Sequence, residues 1–152
     1  MSVAFRRESD EEHKEPRFEL PIPPGPNWVT PRGRALIAAR VDALEAEIAG
    51  APDDAAREVL RRDLRYWHTR RATAEDAPAP DAGEVGIGSR VHIRQGARSR
   101  TIEIVGHDEA EPGADRLSFA APLARALMGA MAGETVAFNG QPIRVDSVET
   151  PA

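Results

Sequence analysis

The chain has 152 residues, 25 acidic and 20 basic side chains, a formal net charge of −5 and no cysteine. That length holds one ordinary domain or two small ones. The missing cysteine excludes disulfides, thiolate zinc sites and a cysteine nucleophile, and the acidic balance gives no overall pull toward nucleic acid.

Residues 1–27 are charged and then proline-rich, through Leu20-Pro21-Ile22-Pro23-Pro24-Gly25-Pro26. They cannot bury enough apolar surface to offset their ordering entropy, so a disordered or extended arm is expected. The opening Met1-Ser2-Val3-Ala4-Phe5-Arg6-Arg7 lacks the apolar core of a signal peptide. No apolar stretch approaches the ~18 residues of a membrane span. A cytoplasmic protein that does not engage membranes is expected.

Thr30-Pro31 opens a helix, since threonine caps well and proline is tolerated in the first turn. Leu36, Ile37, Val41, Leu44 and Ile48 then recur along one helical face. Gly50-Ala51-Pro52-Asp53-Asp54 breaks the pattern, and Asp53 or Asp54 can cap the helix that follows. That second helix carries Val59, Leu60, Leu64 and Trp67 and ends near Ala74. So short a turn predicts an antiparallel helical hairpin, a short coiled coil, over 28–75. Within it Trp67 is expected in the core between hairpin and domain, and Trp28 as a hydrophobic staple at the helix start.

The Ala/Pro-rich stretch 76–84 reads as a linker. After it the period becomes alternating: Val91 and Ile93, Ile102 and Ile104, Val136 and Phe138, then Ile143, Val145 and Val148. Four or five short strands are expected over 85–152, around one short helix at 122–129. Asn139-Gly140 is a hairpin turn between the last two strands. The fold class is α+β, a helical hairpin followed by a small, mainly β domain.

The chemistry-bearing residues are few. Asp53 and Asp54 stand at the hairpin tip, where helix capping is the structural reading. Arg57, Arg61 and Arg65 repeat every four residues and share a stripe. His13, His68, His92 and His107 lie on separate elements without metal-ligand spacing, so no metal is expected. Gly83, Gly86 and Gly88 do not complete a dinucleotide-binding pattern, and no nucleophile elbow is present.

Ile104-Val105-Gly106-His107-Asp108-Glu109-Ala110 and Pro122-Leu123-Ala124-Arg125-Ala126-Leu127-Met128-Gly129 resemble two motifs of the Gre transcript-cleavage factors. Val85 to Val91 is similar to that family's first domain strand, and Leu60 to Trp67 to the returning arm of its GreB branch. The resemblance implies an FK506-binding-protein-like C-terminal domain that docks on the rim of the RNA polymerase secondary channel. It carries Pro122, Leu123 and Arg125 over as docking residues, Arg57, Arg61 and Arg65 as RNA- or channel-facing, and Asp53 and Asp54 as tip acids aiding the polymerase Mg2+. Relative to the Gre factors each arm lacks about a dozen residues, which retracts the tip by ~20 Å. This makes the chain similar to short-finger relatives such as the regulator of nucleoside diphosphate kinase. Ala120-Ala121 replace an acidic or amide residue and a serine before the docking proline, so contact there leans on apolar surface.

The resemblance implies a monomeric transcription elongation regulator with no cofactor of its own, at most stimulating RNA cleavage by the polymerase. With short arms and no family tip motif, capping by Asp53 and Asp54 is favoured over cleavage. Two alternatives stay open. One is a prolyl isomerase, for which Phe119 and Phe138 supply poor pocket material. The other is an adaptor dimerising through its hairpin.

Overall fold

The computed structural model describes residues 19–151. Of the arm expected over 1–27, residues 1–18 lie outside the described residues. The elements are, in order, β1 (Trp28–Val29), α1 (Pro31–Ala49), α2 (Asp54–Thr73), β2 (Glu75–Asp76), β3 (Arg90–Gln95), β4 (Arg98–Val105), β5 (Arg116–Ser118), α3 (Pro122–Leu127), β6 (Thr135–Phe138) and β7 (Gln141–Glu149). Two 3-10 turns, His107–Glu109 and Pro112–Ala114, join β4 to β5. This is the α+β architecture the periodicity predicts: a two-helix hairpin followed by a five-stranded mixed sheet.

Local chemistry sets the hairpin. The Thr30 hydroxyl accepts the Gly33 N–H at 3.1 Å, Pro31 occupies the first turn, and Asp53 caps α2 by accepting the Ala56 N–H at 2.8 Å. α1 buries Gly33, Ile37, Val41 and Leu44 against the half-buried Leu60, Leu64 and Trp67 of α2. At 1.5 Å per residue the arms run about 28 and 30 Å. Their open ends are tied by a parallel pairing of Trp28 with Glu75 and Val29 with Asp76. The chain therefore leaves the hairpin beside the point where it enters.

The sheet has the order β5-β4-β3-β7-β6, antiparallel except for β4 with β5. One face carries Val91, Ile93, Ile102, Ile104, Ile143 and Val145, and α3 closes it with Ala124 and Leu127. The alternation seen in the sequence is this face. Asn139 and Gly140 both adopt positive φ, +53° and +74°, which matches the turn to the twist of β6 and β7. Residues 76–84 run against the sheet domain: Ala77 packs on its core, and Pro80 sits so close to Gly86 that a methyl there would fall 2.7 Å from its ring.

Trp28, and not Trp67, takes the place between hairpin and sheet domain expected of Trp67. Trp28 packs on the sheet-domain core with its ring 5.4 Å from that of Phe119. Trp67 stays within the hairpin, half-buried and edge-on to Tyr66 at 5.2 Å. The physical reason is that β1 lies at the seam, whereas Trp67 continues a stripe that faces α1.

No helix among the described residues is long and apolar enough to cross a membrane. Ile104 is fully buried in the sheet core while Val59 is 42% exposed on α2. Ile104→Ala is expected to lower unfolding free energy by about 2–5 kcal/mol, and Val59→Ala by less than about 0.5, both read by urea denaturation.

Candidate functional site

Three regions carry polar or reactive side chains: the hairpin tip, the seam between hairpin and sheet, and the loop opening α3. The seam is the most densely bonded. There the 3-10 turn His107–Glu109 pushes two adjacent carboxylates under the base of the hairpin. Asp108 accepts the Tyr66 hydroxyl at 2.5 Å and the Arg70 Nε–H at 2.6 Å, with the Arg70 and Asp108 side chains only 3% and 5% exposed. Arg70 Nη2 donates to Asn27 Oδ1 at 2.8 Å, and Asn27 Nδ2 donates to the Arg70 carbonyl at 2.8 Å and to Thr73 Oγ1 at 3.1 Å. Four side chains from three segments thus satisfy one buried charge pair.

Glu109 grips the other arm. Its Oε2 accepts the Thr30 hydroxyl at 2.6 Å and the Gly106 N–H at 3.3 Å, and Arg32 lies 3.8 Å from its Oε1. Two glycines make room for it. A methyl on Gly33 would collide with the Glu109 carboxylate, and one on Gly106 would stand 2.6 Å from the Trp28 carbonyl oxygen.

Burial raises the Tyr66 phenol well above its ordinary value, helped by the hydrogen bond to Asp108 and that carboxylate's charge and opposed by Arg70. A phenol whose proton is held more tightly folded than unfolded contributes stability fully below about pH 10 and loses it as pH rises above that.

The sequence singled out none of Asp108, Glu109, Asn27 and Arg70 for this work. One signal was present: Arg70 follows Trp67 by three residues, so it continues the inward stripe rather than the outer face.

At the tip, Asp53 is engaged as the α2 cap and Asp54 pairs with Arg57 at 2.8 Å. Among the described residues no three His, Cys, Asp or Glu side chains assemble a metal site, so these two acids do not build one by themselves. In the basic stripe, Arg57 also donates to the Ala51 carbonyl at 3.3 Å, and Arg65 pairs with Glu19 at 2.8 Å and Glu58 at 3.6 Å. Arg61 is exposed between them, with no ion-pair partner among the described residues.

The loop opening α3 keeps Pro122 and Arg125 exposed, while Leu123 is half-buried against the core. Ala121 caps α3 with no side-chain hydrogen bond. The surface there is apolar with one cation. Phe119 is half-buried against the Trp28 ring.

Comparison with known proteins places this geometry among relatives. Residues 79–146 match the family model "Transcription elongation factor, GreA/GreB, C-term". The chain is 32% identical over 94 residues to transcription elongation factor GreA of Vibrio parahaemolyticus, covering 58% of this chain and 60% of that protein. It is 37% identical over 75 residues to the GreA of Thermomicrobium roseum, covering 49% and 48%. The chain therefore spans about half to three fifths of the length of these relatives. Among solved structures, GreA factor homolog 1 of Thermus thermophilus aligns with a TM-score of 0.41 at 15% identity, over 82% of this chain and 99% of that one. A GreA/GreB factor from Nitrosomonas europaea aligns with 0.40 at 18% identity, over 75% and 94%.

Two outcomes follow from the seam. Gly33→Ala should be destabilising by about 1–3 kcal/mol in thermal or urea unfolding, although alanine ordinarily favours a helix, because Glu109 must give up buried bonds. Asp108→Asn leaves Arg70 buried without an anion and should cost about 3–5 kcal/mol. In the same variant the ultraviolet titration of Tyr66, the chain's single tyrosine, should move down from its elevated native position toward about pH 10.

Proposed function

Because residues 79–146 match the GreA/GreB C-terminal family model, we propose that this chain is a member of that family, a transcription elongation regulator that binds RNA polymerase at the secondary channel. The observation that supports the reading most is the match of residues 79–146 to the family model, which contains both the seam turn and the loop opening α3. The sheet domain docks on the channel rim through Pro122, Leu123 and Arg125, and the hairpin enters as a finger. With Ala120 and Ala121 ahead of the proline, docking relies on the apolar Pro122–Leu123 surface and on the Arg125 charge.

The finger is short, with arms of 19 and 20 residues. Of its tip acids, Asp53 caps α2 and Asp54 forms an exposed pair with Arg57. The protein acts by occupying the channel rather than by supplying carboxylates to the polymerase Mg2+. It is not an enzyme on its own, it functions as a monomer, and it works in the cytoplasm where the polymerase is. Any contact with RNA is made within the complex through Arg57, Arg61 and Arg65.

The full chain should be retained by immobilised core RNA polymerase. Pro122→Ala combined with Arg125→Ala, both at exposed positions, should weaken retention by about tenfold or more. Unchanged retention by this variant, or no binding by the unaltered chain, would refute the docking. In a backtracked elongation complex with Mg2+ the protein should not shorten the RNA. Shortening that disappears with Asp53→Ala and Asp54→Ala would instead make the tip acids cleavage residues.

A further inference from the structure

Most arginines of the sheet domain gather at one end of it. Arg94, Arg98, Arg100 and Arg144 lie on β3, β4 and β7 near the turns at Gly96 and Gly140, at the end of the sheet opposite the seam turn. Two carboxylates answer these four guanidinium groups. Asp115 lies 2.9 Å from Arg100, and Asp146 lies 3.1 Å from both Arg94 and Arg144. Glu134, just before β6, is turned to the Met131 N–H at 2.9 Å. Arg98 is exposed and has no ion-pair partner among the described residues. Positive charge is therefore left over here, in a chain whose formal net charge is −5.

The register crowds these cations further. Arg94 and Arg144 stand directly opposite each other across β3 and β7, a placement in which like charges repel, and they share one acid. On the other face of the sheet Arg100 stands opposite Ile93, at the margin of the apolar core. Arg98 is two residues away, about 7 Å along β4, and lines a notch of about 130 Å³ with Gln95, Ser99 and Arg100. Strand chemistry alone does not ask for such a grouping. We propose that this end of the sheet is a contact for the phosphate backbone of duplex DNA, with Arg98 as its unpaired cation and Arg94 and Arg144 as its flanks.

Three features select that ligand. A guanidinium fork matches two phosphate oxygens, and the exposed pairs with Asp115 and Asp146 are weak enough to exchange for them. Single strands are held largely by stacking on aromatic side chains, and Phe138, the aromatic beside these turns, is half-buried. Gly96 and Ala97 at the tip offer no side chain that reads a base edge, so binding is independent of sequence. The site uses none of the residues assigned to polymerase docking and does not depend on it.

Fluorescence anisotropy of a labelled 20-base-pair duplex with the full-length chain tests the site. About two phosphate contacts give a slope of about −2 for log K against log[salt], with a dissociation constant of about 10⁻⁵–10⁻⁴ M. Arg98→Gln combined with Arg144→Gln, both at exposed positions, should weaken binding about tenfold or more and leave the thermal unfolding midpoint unchanged. Amide shifts during the titration should fall in Arg94 to Arg100 and Gln141 to Asp146, and Arg61→Gln with Arg65→Gln on the hairpin should leave affinity unchanged. The proposal fails if the duplex does not bind, if the hairpin variant rather than the sheet variant loses affinity, or if a uridylate 12-mer binds as tightly as the duplex. It fails too if a twelve-residue polyglutamate binds as tightly, which would make the ligand an acidic protein surface.

Discussion

Two neighbouring carboxylates buried at one turn govern the rest of this molecule. Taking a charge out of water costs several kcal/mol unless it is paired and fully hydrogen-bonded. Asp108 meets that demand through Arg70 and Tyr66 on α2, and Glu109 meets half of it, with Oε2 bonded to Thr30 and Gly106 while the buried Oε1 has only Arg32 at 3.8 Å. One turn of the sheet domain thus holds both arms of the hairpin. A hairpin set at another angle would leave one carboxylate, or Arg70, without its partner. The charges contribute direction more than net stability, because apolar packing at the same place would tolerate sliding.

Around that joint the packing is divided cleanly. α1 and α2 bury their stripe against each other, and the sheet buries its own face beneath α3. Trp28 and Phe119, with the β1–β2 pairing, close the seam between the two. The glycines there are spatial rather than conformational: Gly106 admits the Trp28 carbonyl and Gly33 admits the Glu109 carboxylate. The segment Gly106 to Glu109 accordingly sets the angle at which the hairpin meets the sheet domain. The loop opening α3, with its exposed Pro122 and Arg125, remains available to a partner.

The charges on α2 divide in the same way. Arg70 is committed to the seam, whereas Arg61 and Arg65 are exposed along the arm and Arg57 is half-buried against the hairpin turn. Glu19 reaching Arg65 shows that residues 19–27 run along the hairpin's surface. The arginines of α2 therefore belong to two surfaces, one at the seam and one along the arm.

How much was legible in the sequence follows from the range of each interaction. The hairpin, its caps at Thr30 and Asp53, the strand alternation and the Asn139-Gly140 turn all rest on contacts within a few residues, so periodicity and turn chemistry determined them. The family likeness was legible too, because its motifs are contiguous. The seam was not. Arg70 lies 38 residues from Asp108 and Thr30 lies 79 from Glu109, and nothing local distinguishes a solvated acid from a buried one. Which tryptophan closes the joint, and which arginine leaves the basic face, depended on how two units meet. Tertiary structure alone decided those, since a buried charge selects its partner by position in space and not by spacing along the chain.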